Sequence, residues 1–166
     1  MEPFTIIAQN FWLIAIFITG INLLIFRNKS KDYISKNPEL AQGYEILFKH
    51  YFFWCNIPWI IMGIGIVTGG VSDIADYFRP QEGNPFVLVW YISIFSLWAA
   101  GTYWLLFRGG AQMLIKFPGA LKGKVTSPLL IKVLWLICVF WGIAAVVFLY
   151  NHDIPFFYQE RIKDVF

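Results

Sequence analysis

Four stretches of this chain carry no charged side chain for about 18 residues or more, and nothing else in it restricts the fold so severely. They run from Phe4 to Phe26, Tyr51 to Ser72, Gly83 to Phe107 and Val133 to Tyr150. A helix of that length spans the ~30 Å hydrocarbon core of a bilayer. In lipid every backbone N–H and C=O must be paired within its own segment, so runs this long are expected to be helical. Composition agrees, because 58% hydrophobic residues, 14% charged residues and a mean hydropathy of +0.62 leave too little polar surface to cover a soluble domain of 166 residues. The expected fold is an all-α membrane protein, a four-transmembrane-helix bundle. Its helices are expected near residues 4–26, 51–72, 85–107 and 129–150, within one domain covering 1–166.

Met1-Glu2 brings no basic side chain to the first run, and no small-x-small site precedes Arg27. The run is therefore expected to be retained as a helix rather than cleaved as a leader. Orientation follows from the cations, which concentrate in cytoplasmic loops. Arg27, Lys29, Lys31, Lys36 and Lys49 follow the first run, and Arg108, Lys116, Lys122, Lys124 and Lys132 follow the third, ten of the thirteen basic residues. Arg79, Arg161 and Lys163 fall on the other side with seven of the ten acids. Both termini are expected to be extracytoplasmic, in a bacterial cytoplasmic (inner) membrane.

Proline after a capping side chain marks helix starts, since its missing N–H does no harm at the first helical position. Asn84-Pro85 and Ser127-Pro128 open the third and fourth helices. Asn37-Pro38 opens an amphipathic stretch in which Leu40, Tyr44, Leu47, Phe48 and Tyr51 recur at helical spacing, predicting an interfacial helix before helix two. Pro58 is expected to kink helix two near Trp54. A shift of 81 positions superimposes Gly20 on Gly101, Leu24 on Leu105, Phe26 on Phe107, Arg27 on Arg108 and Trp54 on Trp135, the pattern of a parallel duplication of one hairpin.

The side chains that membrane chemistries require are mostly missing from this pattern. His50 and His152 fall at opposite ends of the bundle, unlike a bis-histidine haem pair. Cys55 and Cys138 are single and lie in apolar helices, which reads as buried structural thiols. No charged residue interrupts the four runs, against the mid-membrane carboxylate or cation of most coupled transporters. Walker, nucleophile-elbow and zinc-protease motifs are absent. No catalytic residue, metal site, cofactor or nucleic-acid partner is expected. The acids Asp73, Asp76, Glu82 and Asp153 beside His152 read as solvated loop carboxylates, with a weak divalent-cation site as the alternative. The sequon Asn28-Lys29-Ser30 falls on the predicted cytoplasmic side, where it would stay unmodified.

Uncharged polar groups are what remains. Asn22, Asn56 and Thr102 fall at similar distances from the basic ends of their helices, as an interhelical hydrogen-bonded layer or as the floor of a ligand pocket. Trp59, Trp98 and Trp141 lie deeper than interfacial indoles usually do, so each N–H needs an internal partner or a ligand. Gly63, Gly65, Gly69 and Gly70 are expected to serve helix packing, with Gly65-x-x-x-Gly69 admitting a neighbouring backbone. Arg108, ahead of Gly109-Gly110, reads as part of a helix cap, or with Lys116, Lys122 and Lys124 as a lipid-headgroup site. The expected function is a non-enzymatic subunit or oligomeric membrane component, whose partners are the bilayer and either further copies or a larger complex. The alternatives are a lipid or small-molecule carrier or passive channel with a Trp- and Asn-lined pocket, and an enzyme acting on lipid, which would need an acid–base pair such as His50 with Glu45.

Overall fold

The computed structural model describes residues 3–120 and 125–152. Its elements are helices α1 (Pro3–Gln9), α2 (Phe11–Lys36), α3 (Ala41–Val67), α4 (Pro85–Phe107), α5 (Gly110–Lys116) and α6 (Pro128–Asn151), with short 3-10 turns at Pro38–Leu40, Ile74–Phe78 and Pro80–Glu82. The segments Phe11–Lys36, Pro38–Val67, Pro85–Phe107 and Pro128–Asn151 are long and apolar enough to cross a membrane, the architecture of a multi-pass integral membrane protein.

Two helices differ from expectation at their ends. The first apolar run is broken at Asn10, whose backbone leaves helical geometry (φ −106°, ψ 11°) while its side-chain amide donates to the Ile6 carbonyl at 2.8 Å. Beyond Phe26, α2 continues as helix to Lys36. The amphipathic stretch after Asn37 forms the 3-10 turn at Pro38–Leu40 and then the first turns of α3, which continues past Pro58. Lys, Arg and Glu are good helix formers, so the loss of hydropathy at these ends does not end the helix. At its far end α3 stops at Val67, where Gly69 takes φ 73° and the Gly70 N–H donates to the Gly65 carbonyl at 2.9 Å. In α4 and α6 the capping residues act as their local sequence requires: Asn84 Oδ1 accepts from the Phe86 N–H at 2.9 Å, and Ser127 Oγ accepts from the Leu130 N–H at 3.4 Å.

Successive long helices pack in turn, α2 on α3, α3 on α4, and α4 on α6. Buried apolar groups gather at the two ends. At the basic end Tyr44 and Phe48 of the α2–α3 hairpin enclose Phe117, and the Tyr44 hydroxyl donates to the Pro118 carbonyl at 2.8 Å. The connection after α5 is thereby tied to the opposite hairpin. A second group, Leu105, Ala111 and Ile131, joins α4, α5 and α6. At the other end the loop 68–84 folds back over α3 and α4 through Tyr77, which has 0% exposure. Its hydroxyl donates to the Met62 carbonyl at 3.0 Å, and its own carbonyl accepts from the Tyr91 hydroxyl at 3.0 Å. Burial, with the Asp76 carboxylate beside it, pushes the Tyr77 phenol up to about 12.

Candidate functional site

Aromatic rings seated on glycines make the interhelical contacts. Trp12 of α2 covers Gly63 of α3, Trp135 of α6 covers Gly101 of α4, and Trp98 of α4 covers Gly142 of α6. The last two pairs interlock α4 and α6 reciprocally, since each helix supplies one ring and one notch. A Cβ at Gly101 would stand 2.7 Å from Trp135 Cζ2, so only glycine admits the indole. The Trp135 Nε1–H donates to the Thr102 hydroxyl at 2.8 Å, fixing the ring over its notch.

The glycines singled out by sequence take different places. Gly65 faces the Tyr77 hydroxyl and Gly70 faces the Phe86 ring. Gly69 has nothing within 4 Å of a built Cβ. The Gly65-x-x-x-Gly69 spacing therefore does not admit a neighbouring backbone, because α3 ends before Gly69, which serves the turn.

The polar residues are not one hydrogen-bonded layer. Thr102 pairs with Trp135, whereas Asn56 donates through Nδ2 to the Phe52 carbonyl of its own helix at 2.7 Å. Asn22 makes no side-chain hydrogen bond with any described residue. The register of α2 and α3, set by Phe26 on Phe48 and Trp12 on Gly63, brings Asn56 level with Thr19, about one turn from Asn22. Asn56 is only 2% exposed, and its Oδ1 has no hydrogen-bond partner among the described residues.

Of the three deep tryptophans, Trp59 packs edge-to-face on Phe11 with centroids 6.0 Å apart, and Trp98 sits on Gly142. Trp141 lies near the middle of α6, is 66% exposed and forms no hydrogen bond with a described residue. Trp98 and Thr102 border an open groove of about 410 Å³, walled on α4 also by Phe95, Ala99, Tyr103 and Phe107. Val139 and Ile143 form its α6 side.

Charged groups are placed as follows. Glu45 is engaged by Arg27, at 3.0 and 3.1 Å to its two oxygens, so its carboxylate is committed away from His50. Arg108 caps α4, is exposed and forms no ion pair with a described residue, while Gly109 takes φ 74° behind it. Lys116 ends α5, and Lys122 and Lys124 lie outside the described residues. Lys132, overlooked by the sequence pattern as one more loop cation, donates from Nζ to the Leu106 carbonyl at 3.1 Å and bridges α6 to the end of α4. Asp73 and Asp76 accept backbone N–H groups of Ala75 and Ser72, and no cluster of metal-ligating side chains occurs among the described residues. Asp153 lies outside them. Cys55 and Cys138 are exposed on the outward faces of their helices, a correction to the expectation of buried thiols that follows from the thinness of the bundle.

No protein-family model, curated protein or solved structure matches the chain.

Proposed function

We propose that the protein is a non-enzymatic component of a membrane assembly, in which another copy or another subunit packs on the outward face of α6 around Phe140 and Trp141. The observation that carries this reading is the indole of Trp141. Its N–H lies at mid-helix with no acceptor among the described residues, and leaving such a donor in hydrocarbon costs on the order of a few kcal/mol. A facing helix that offers a carbonyl or hydroxyl removes that cost. Support also comes from the burial of α6, since none of its most apolar window is buried, against 22% for α3. The adjacent Phe140 ring, edge-to-face with Trp141 at 5.8 Å, enlarges the same face.

The assembly is proposed to sit in a bacterial inner membrane with both termini extracytoplasmic, the orientation favoured by the cations at the Arg27 and Arg108 end. Reporter fusions at residues 1 and 166 test this, and a cytoplasmic signal from either overturns it. For the assembly, native mass spectrometry of protein extracted in mild detergent should detect a complex that Trp141→Leu disperses without lowering the melting temperature of the released monomer. A wild type that is monomeric after cross-linking in the membrane would sink the proposal.

A further inference from the structure

The groove between α4 and α6 has a shape, a lining and an end charge that together select one class of ligand. From Phe95 to Phe107 it follows about 18 Å of helix, slightly more than half of the ~30 Å hydrocarbon core, so it fits one leaflet. Its walls are apolar apart from the Thr102 and Tyr103 hydroxyls. Thr102 accepts from Trp135 and donates to no described residue, which leaves its proton for an oxygen of a bound molecule. Arg108 follows directly on Phe107, the last α4 residue lining the groove, and its guanidinium has no acid partner among the described residues. Lys132 stands at the same end and uses one of its three N–H donors on Leu106. From residue 108 to residue 132 the sequence contains no acid to oppose these cations.

We propose that this groove holds an acyl chain of an anionic phospholipid, with the phosphate at Arg108 and Lys132 and an ester oxygen within reach of Thr102. Thr102 lies four residues, about 6 Å along the helix, inward of Leu106, in the direction that a glycerol ester lies from its phosphate. Charge complementarity at one end and an apolar trough of single-leaflet length exclude a polar solute. The site is independent of any partner at Trp141.

Purified protein in neutral detergent is titrated with phosphatidylglycerol or with phosphatidylcholine of the same acyl chains, and bound lipid is counted by native mass spectrometry. One phosphatidylglycerol should be retained in preference to phosphatidylcholine. Arg108→Gln should weaken it about fivefold, the factor expected for one basic residue at a membrane surface, without changing phosphatidylcholine. Ala99→Trp should fill the trough and remove both lipids; Val139→Phe provides the same blockade if Ala99→Trp does not fold. Trp141→Leu should retain the lipid, so loss of a partner chain and loss of the lipid are read separately. Equal retention of the two lipids, or anionic binding insensitive to Arg108→Gln or to the folded groove-filling variant, overturns the proposal.

Discussion

Gly20 and Gly101 coincide when the two hairpins are superimposed, yet they should respond in opposite directions to the same substitution. Changing either to alanine improves helix propensity by about 1 kcal/mol. At Gly20 nothing lies within 4 Å of the new Cβ, so that gain should be kept. At Gly101 the Cβ would meet Trp135 at 2.7 and 3.0 Å. The indole cannot simply retreat, because its N–H is held by Thr102. Overpacking of this kind costs about 1–3 kcal/mol, and releasing the ring forfeits a further ~0.6–2 kcal/mol of interhelical hydrogen bond. The net loss for Gly101→Ala is about 0.6–4 kcal/mol after the propensity gain. At roughly 2–4 °C per kcal/mol for a chain of this size, Gly101→Ala should melt about 1–16 °C below wild type and Gly20→Ala about 2–4 °C above it. Thermal unfolding of the three proteins in one detergent, followed by helical circular dichroism, measures both shifts. If Gly101→Ala is as stable as wild type, the interlock of α4 and α6 does not hold them together as argued.

The phenol of Tyr77 predicts a pH dependence at the other end of the molecule. The unfolded side chain ionises near 10 and the folded one near 12, so the folded state holds the extra proton between them. Its contribution is complete below pH 10 and is lost as pH rises toward 12, and Tyr77→Phe should flatten that part of a melting-temperature profile. Cys55 and Cys138, exposed on apolar faces, should both resist a charged maleimide added from water, because lipid on those faces excludes the reagent. Labelling by the charged reagent, read by mass, would place those faces in water.

What the sequence made legible was local. The start of α4 could be read because Asn84-Pro85 carries its cap and its backbone restriction within two residues. The end of α2 could not, because hydropathy reports where lipid ends while the helix continues through Arg27–Lys36 on propensity. Contacts between distant residues left no local trace. Trp135 finds Gly101 across 34 positions, and nothing in either neighbourhood names the other. The loop 68–84 shows the same gap: its acids suggested a solvated connection, yet Asp73 and Asp76 cap backbone N–H groups of a turn that carries Tyr77 into the bundle. Of the residues weighed as a binding site, Trp98 and Thr102 share one groove, while Asn22, Asn56, Trp59 and Trp141 do not line it. Shared depth along separate helices does not fix which faces meet.

Asn56 provides the sharpest test of whether its surroundings are complete. Its Nδ2 must be the atom facing Phe52, because a carbonyl only accepts. Oδ1 is consequently fixed on the other side, buried and without a donor among the described residues. A half-satisfied amide in an apolar interior gains little from its intrahelical bond and loses the hydration of its second group, a cost of about 1–3 kcal/mol. Leucine has the same branched arrangement of four side-chain heavy atoms, is bulkier, and has better helix propensity. Asn56→Leu should therefore leave the melting temperature unchanged or raise it by a few degrees, whereas Asn56→Asp, which adds charge at the same atoms, should lower it sharply. A fall of more than about 4 °C in Asn56→Leu, the equivalent of at least ~1 kcal/mol, would mean that Oδ1 has a donor from outside the described residues. Repeating the measurement after exhaustive delipidation identifies the source: a wild type that drops to the level of Asn56→Leu had drawn its stability from a bound lipid.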